Sequence, residues 1–197
     1  METTKIITIS REFGSGGHSI AEALAKKLGV TCYDRALVEQ VAKESGFAPT
    51  YIEKQGEYVS GTFPFFRTGG TPGAMGGMNA DDYLWNVQRQ TILALAEQGP
   101  CVIVGRCSDY ILRDRPDALH VFVCSDLPYR AKRIVERYGE TDRTPEQRLH
   151  QKDKQRRAYY RYYTDREWGA PRNYALCLNS GVVGEARCVD LILSLVN

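Results

Sequence analysis

Five short runs along this chain are apolar at nearly every position, the pattern of a strand covered on both faces. They are KIITIS (5–10), VTCYD (30–34), CVIVG (101–105), ALHVFVC (118–124) and YALCLNS (174–180). Between them the apolar positions recur at helical spacing. Residues 19–29 put Ile20, Leu24 and Leu28 on one face, with Gly29 just past the end. Further helices are predicted over 36–46, 50–59 and 81–99, the last opened by Asp81 or Asp82 and closed by Gly99. A short helix at 106–114, a basic amphipathic one at 127–139 and a closing one at 183–196 follow. A turn at 140–148 leads into a long polar helix through RRAYYRYYTDREW, and the glycine-rich segment 60–80 predicts a long mobile loop. Strands alternating with helices imply a parallel sheet of about five strands flanked by helices, in one domain over 1–197. Ligands of such sheets bind beyond the carboxyl ends of the strands. Four features converge there: residues Arg11 to Ser19, Asp34, Arg106 and Asp126.

Composition removes several classes. At 43% hydrophobic and 25% charged, the 197 residues read as an ordinary globular domain. No apolar run approaches the roughly 20 residues that span a bilayer, and METTK before a strand does not read as a signal peptide. A net charge of +2 is too mild to argue for nucleic acid. Cys32, Cys101, Cys107, Cys124, Cys177 and Cys188 form no C-x-x-C pair. They predict small buried core residues in a reducing cytoplasm, neither disulfides nor zinc ligands.

The chemistry concentrates in ITISREFGSGGHS, a strand, a glycine cluster and a helix start. Such a turn points consecutive backbone N–H groups and a helix N-terminus into one concavity, which stabilises phosphate. Gly14, Ser15, Gly16 and Gly17 form the loop, with His18 and the Ser19 hydroxyl at the first helical turn. The signature G-x-x-x-x-G-K-[ST] is not met: Arg11 stands at the first glycine and Gly17 at the lysine. Phosphoryl transfer needs aligned phosphates and neutralised charge, and the planar fork of arginine suits bidentate phosphate contact. Arg11 and the arginines after residue 140 are the available replacements for the lysine.

ITISREFGSGGHSIAEALAKKLG, VIVGRCSDYIL and DKQRRAYYRYYTDREWG together resemble the cytidylate-kinase-like proteins, relatives of bacterial cytidylate kinase among the P-loop nucleoside monophosphate kinases. The resemblance implies a P-loop NTPase-type α/β fold with a helical lid over about 139–168, and an acceptor-side loop at 60–80. It implies ATP and Mg²⁺, the metal reached through phosphates and with Ser19, in place of the family's threonine, as a candidate ligand. It also implies that Asp34 helps hold a nucleotide sugar and that Arg106 reaches the acceptor phosphate, although Cys107 replaces the family's aspartate. Asp153 and Arg156 keep the D-x-x-R spacing of the lid, with Arg143, Arg148, Lys152 and Arg157 nearby. The expected activity is phosphorylation of a CMP- or dCMP-like monophosphate in the cytoplasm, with nucleotide substrates and no nucleic acid or membrane partner. A non-catalytic nucleotide-binding module and a kinase for another small acceptor are the alternatives.

Other constellations carry two readings each. The tyrosine–arginine run fits either a single-stranded nucleic-acid surface or a helix packing tyrosines inward, with Tyr159 and Tyr163 on one face. His18 is either a phosphate contact or a neighbour of the helix start. Asp126 either holds Mg²⁺-bound water or caps the helix after it. His120 reads as a strand residue and His150 as a solvated one; the three histidines are too scattered for a metal site.

Overall fold

The computed structural model describes residues 4–55 and 79–196. Its sheet contains β1 (Ile6–Arg11), β2 (Thr31–Tyr33), β3 (Cys101–Val104), β4 (Ala118–Cys124) and β5 (Leu176–Asn179). All pairings are parallel, in the order β2-β3-β1-β4-β5. Strand β1 lies between β3 and β4, so the loop that follows it opens at the point where the winding direction reverses.

Both faces of the sheet are covered, which explains the unbroken apolar runs. Ile7, Ile9, Val102, Val121 and Val123 pack against α1 (Gly17–Leu28) and α9 (Glu185–Leu193) through Ile20, Leu24 and Ile192. Ile6, Cys101 and Ile103 face α2 (Arg35–Ser45), α3 (Pro49–Gln55) and α4 (Ala80–Gln98) through Leu37, Ile52 and Ile92. Helix α6 (Leu127–Tyr138) packs with α7 (Pro145–Thr164) around Ile134, Leu149 and Phe13.

Several boundaries depart from the sequence expectation. Helix α4 is capped by Asn79, whose side chain accepts from the Asp82 N–H at 2.8 Å; Asp81 and Asp82 belong to the first turn. The predicted helix at 106–114 contracts to one turn, α5 (Ser108–Ile111), because Gly105, Arg106 and Cys107 are all left-handed. The closing helix, expected over 183–196, is α9, which starts after Gly184 and ends at Leu193, and a separate helical turn, α8 (Ser180–Val183), precedes it. Helix α7 begins at Pro145, where Thr144 and Gln147 form a reciprocal capping box. The expected loop at 60–80 lies outside the described residues, save Asn79 and Ala80.

Three of the four tyrosines of α7 pack inward, and Tyr162 is exposed. Tyr159 and Tyr160 are buried, and Tyr163 stacks on Trp85 of α4 with ring centroids 4.4 Å apart. The cysteines are less uniform than expected: Cys101, Cys107 and Cys188 are buried, Cys32 and Cys124 half-buried, and Cys177 exposed at the sheet edge. Burial pushes the Cys32 thiol up to about 12 and that of Cys101 to about 11, so neither is a ready nucleophile. No described helix is long and apolar enough to cross a membrane.

Candidate functional site

Residues Glu12 to Gly16 turn the chain from β1 into α1. Gly14 and Gly16 have φ of 81° and 82°, a region that L side chains rarely adopt. A Cβ on Gly14 would also stand 2.8 Å from Ile134 Cγ2, so α6 presses directly on the loop. Ser15 is turned inward: its hydroxyl donates to Glu12 O and Val123 O at 2.9 and 3.0 Å, and its carbonyl accepts from Ser180 Oγ at 2.6 Å. Its side chain is therefore an anchor of the loop.

A buried charge network fixes the outer half of the turn. Asp153 of α7 accepts from the Phe13 N–H at 2.9 Å, and Arg130 of α6 donates to Phe13 O at 3.2 Å. Arg130 and Asp153 meet at 2.5 Å, with 7% and 2% of each residue exposed. The carboxylate of Glu12 accepts from the Ser125 N–H at 3.1 Å and lies 3.5 Å from Arg130 Nε. Burial raises the Glu12 carboxyl above its ordinary range, against the pull of the Ser125 N–H and Arg130.

Cationic groups gather on the open side of the loop. A Cβ on Gly17 would stand 2.5 Å from Arg11 Cβ and 2.8 Å from Arg11 Cγ. The Arg11 side chain thus fills the space that any side chain at 17 would enter. The Ser19 hydroxyl accepts from Arg133 at 3.0 Å and Arg137 at 2.9 Å, both on α6. Arg156 donates to the Arg11 carbonyl at 3.0 Å. His18 Nδ1 lies 2.6 Å from Asp34 Oδ2, and its Nε2 is 3.2 Å from Glu22. Arg11, His18, Asp34, Arg133, Arg137 and Arg156 border a cleft of about 470 Å³, within the usual range for small-molecule sites.

The remaining expected site residues are distributed differently. Arg106 is buried and donates to Ile52 O at 3.0 Å, tying α3 to the sheet end. With Arg11, Arg156, Tyr159 and Tyr160 it borders a second, smaller hollow. Asp153 is sealed against the loop backbone and does not face the cleft. Arg143 bonds Gln151 and Arg148 bonds the Gly139 carbonyl; both border a separate hollow between α6 and α7 and are not brought to the glycine loop. Asp126 caps α6 through the Tyr129 N–H at 3.0 Å. Arg130, Arg133 and Arg137 were not singled out from the sequence. Their signal was present in the basic amphipathic pattern at 127–139, where Arg133 and Arg137 are spaced i, i+4.

A family model described as the cytidylate kinase-like family matches residues 6–182. Among solved structures, an uncharacterized protein from Eubacterium ventriosum ATCC 27560 is similar at 28% identity and a TM-score of 0.73, with 97% of each chain covered. Shikimate kinase from Acinetobacter baumannii, solved in complex with shikimate, shares the fold at 15% identity and a TM-score of 0.57, over 98% of this chain and 93% of its own. Shikimate kinase from Bacteroides thetaiotaomicron does so at 13% identity and a TM-score of 0.58, over 96% and 97%. No curated protein matches. The family match contains every strand of the sheet, from β1 to β5, and the chain belongs to the cytidylate kinase-like family.

Proposed function

We propose that this protein transfers a phosphoryl group from ATP to a nucleoside monophosphate of the CMP or dCMP type, with Arg11 supplying the charge of the absent loop lysine. The observation that carries the proposal is the steric exclusion between Arg11 and Gly17: the arginine stem lies where a side chain at the lysine position would leave the helix. ATP fits the glycine loop, whose left-handed glycines and helix N-terminus make an anion cradle, with Arg133 and Arg137 on its open side. Binding there aligns the phosphates, and the guanidinia neutralise the charge on the group in transit. The smaller hollow bordered by Arg106 and Arg156 suits the acceptor phosphate, because it shares Arg11 with the cleft. Ser19 fits a direct Mg²⁺ ligand poorly, since its hydroxyl already accepts from two guanidinia.

The test is a coupled ADP-release assay with ATP, Mg²⁺ and a panel of nucleoside monophosphates, with shikimate and gluconate as other acceptors. Arg11→Ala is expected to lower turnover by about 100- to 1000-fold, the scale for one well-placed charge-stabilising donor. Gly17→Lys alone should fail, because its Cβ collides with Arg11. The double change Arg11→Gly with Gly17→Lys removes both clashing atoms, Cβ and Cγ, and should recover part of the loss. No release of ADP with any nucleoside monophosphate of the panel, or full turnover by Arg11→Ala, would overturn the proposal.

A further inference from the structure

Glu185 opens α9 and reaches back to the glycine loop. Its Oε1 lies 2.7 Å from where a Cβ on Gly16 would stand and 2.8 Å from Arg133 Nε. Arg133 in turn donates Nη2 to Ser19, and both Gly16 and Arg133 border the cleft. A carboxylate therefore rests against the last loop residue before α1 and holds one of the two guanidinia on Ser19. Its side chain is only partly covered, so it is not sealed in place by packing.

We propose that Glu185 is a built-in competitor for the phosphate site, which occupies Arg133 until a polyphosphate displaces it. This rests on the nucleotide-binding reading above and adds a selectivity to it. The Nε of Arg133 serves the carboxylate or an incoming phosphate, not both at full strength. A phosphate in the cradle is also repelled by a carboxylate beside Gly16. Orthophosphate makes too few contacts to win the exchange. A chain of linked phosphates also meets Arg11, Arg137 and the loop N–H groups, and it prevails. Glu185 thereby sets how much negative charge a ligand must bring.

A plain buttress would behave in the opposite sense. If Glu185 only positioned Arg133, its removal would loosen the arginine and weaken phosphate binding. The test is calorimetric titration of the full chain with sodium tripolyphosphate and with orthophosphate, using wild type, Glu185→Gln and Glu185→Ala. Both variants are expected to bind tripolyphosphate about 3- to 30-fold more tightly than wild type, the range for removing a like charge a few ångströms away. The gain should shrink as KCl is raised. The preference for tripolyphosphate over orthophosphate should narrow. Thermal melts confirm that each variant is folded, and Glu185→Ala covers the case in which glutamine keeps the bond to Arg133. Equal or weaker tripolyphosphate binding by both folded variants overturns the inference, whatever the kinase assay gives. A failed ADP-release assay would remove the proposed function and leave this comparison standing.

Discussion

Removing the Asp153 carboxylate tests whether the buried network holds the glycine loop. Asp153 and Arg130 are 2% and 7% exposed and meet at 2.5 Å, so Asp153→Ala strands a guanidinium in the interior. Breaking such a pair from one side costs about 3–5 kcal/mol, and the orphaned Phe13 N–H adds about 1–3 kcal/mol. Glu12, 3.5 Å from Arg130 Nε, takes up part of the stranded charge and brings the expected net loss down to about 3 kcal/mol. For a chain of this size that lowers the melting temperature by about 6–12 °C. Asp153→Asn keeps an oxygen for the Phe13 N–H and should lose less. The assay is thermal and urea unfolding of Asp153→Ala, Arg130→Met and the double variant. Because the double variant strands neither Arg130 nor Asp153, its loss should fall short of the sum of the singles. An Asp153→Ala melt within about 2 °C of wild type, or strictly additive losses, would refute the reasoning.

Two further outcomes are expected. Asp126→Ala should cost about 1 kcal/mol through loss of the cap on Tyr129 N–H and leave the Mg²⁺ dependence of ADP release unchanged; a tenfold shift in that dependence would make Asp126 part of the metal site. Asp109 is raised above the ordinary aspartate value by burial, against the pull of hydrogen bonds from Tyr160 and Ser10. The folded chain thus holds its proton more tightly than the unfolded chain, a contribution full below the unfolded value and lost as pH rises through the folded one. The stability of wild type relative to Asp109→Asn should therefore improve as the pH falls through that window. A difference that stays flat with pH would count against it.

The sheet was legible because its strands are covered twice: Ile6 and Ile7 serve opposite layers, and no polar residue need interrupt the run. Element ends were less so, since they depend on single backbone choices. Asn79 competes with two aspartates for the cap of α4, and the left-handed run Gly105 to Cys107 carries no sequence mark beyond its glycine. At the site, the glycines announced the loop and Arg11 stood visibly at its mouth. The partners on α6 and α9 did not announce themselves, because Arg130, Arg133 and Glu185 acquire their meaning only when α6 docks on Gly14 and α9 on Gly16. Arg143 and Arg148 were grouped with Arg156 by the resemblance to an arginine-bearing lid and by nearness along the chain. The roll of α7 carries Arg156 to Arg11 and leaves the other two on the far side of the capping turn.

The anchors of the glycine loop have a consequence for the order in which the protein is made. The loop is encoded within the first twenty residues, yet Glu12 waits for Ser125, Phe13 for Asp153 and Ser15 for Ser180, separations of 113, 140 and 165 residues. Contacts this distant along the chain are the slow ones to form, and a nascent chain emerges from its N-terminus first. Until those segments emerge, the chain therefore carries a glycine turn without these three anchors. The turn gains the last of these anchors, Ser180 on the Ser15 carbonyl, only when α8 arrives. The residues of the turn are thus translated well before the residues that brace them.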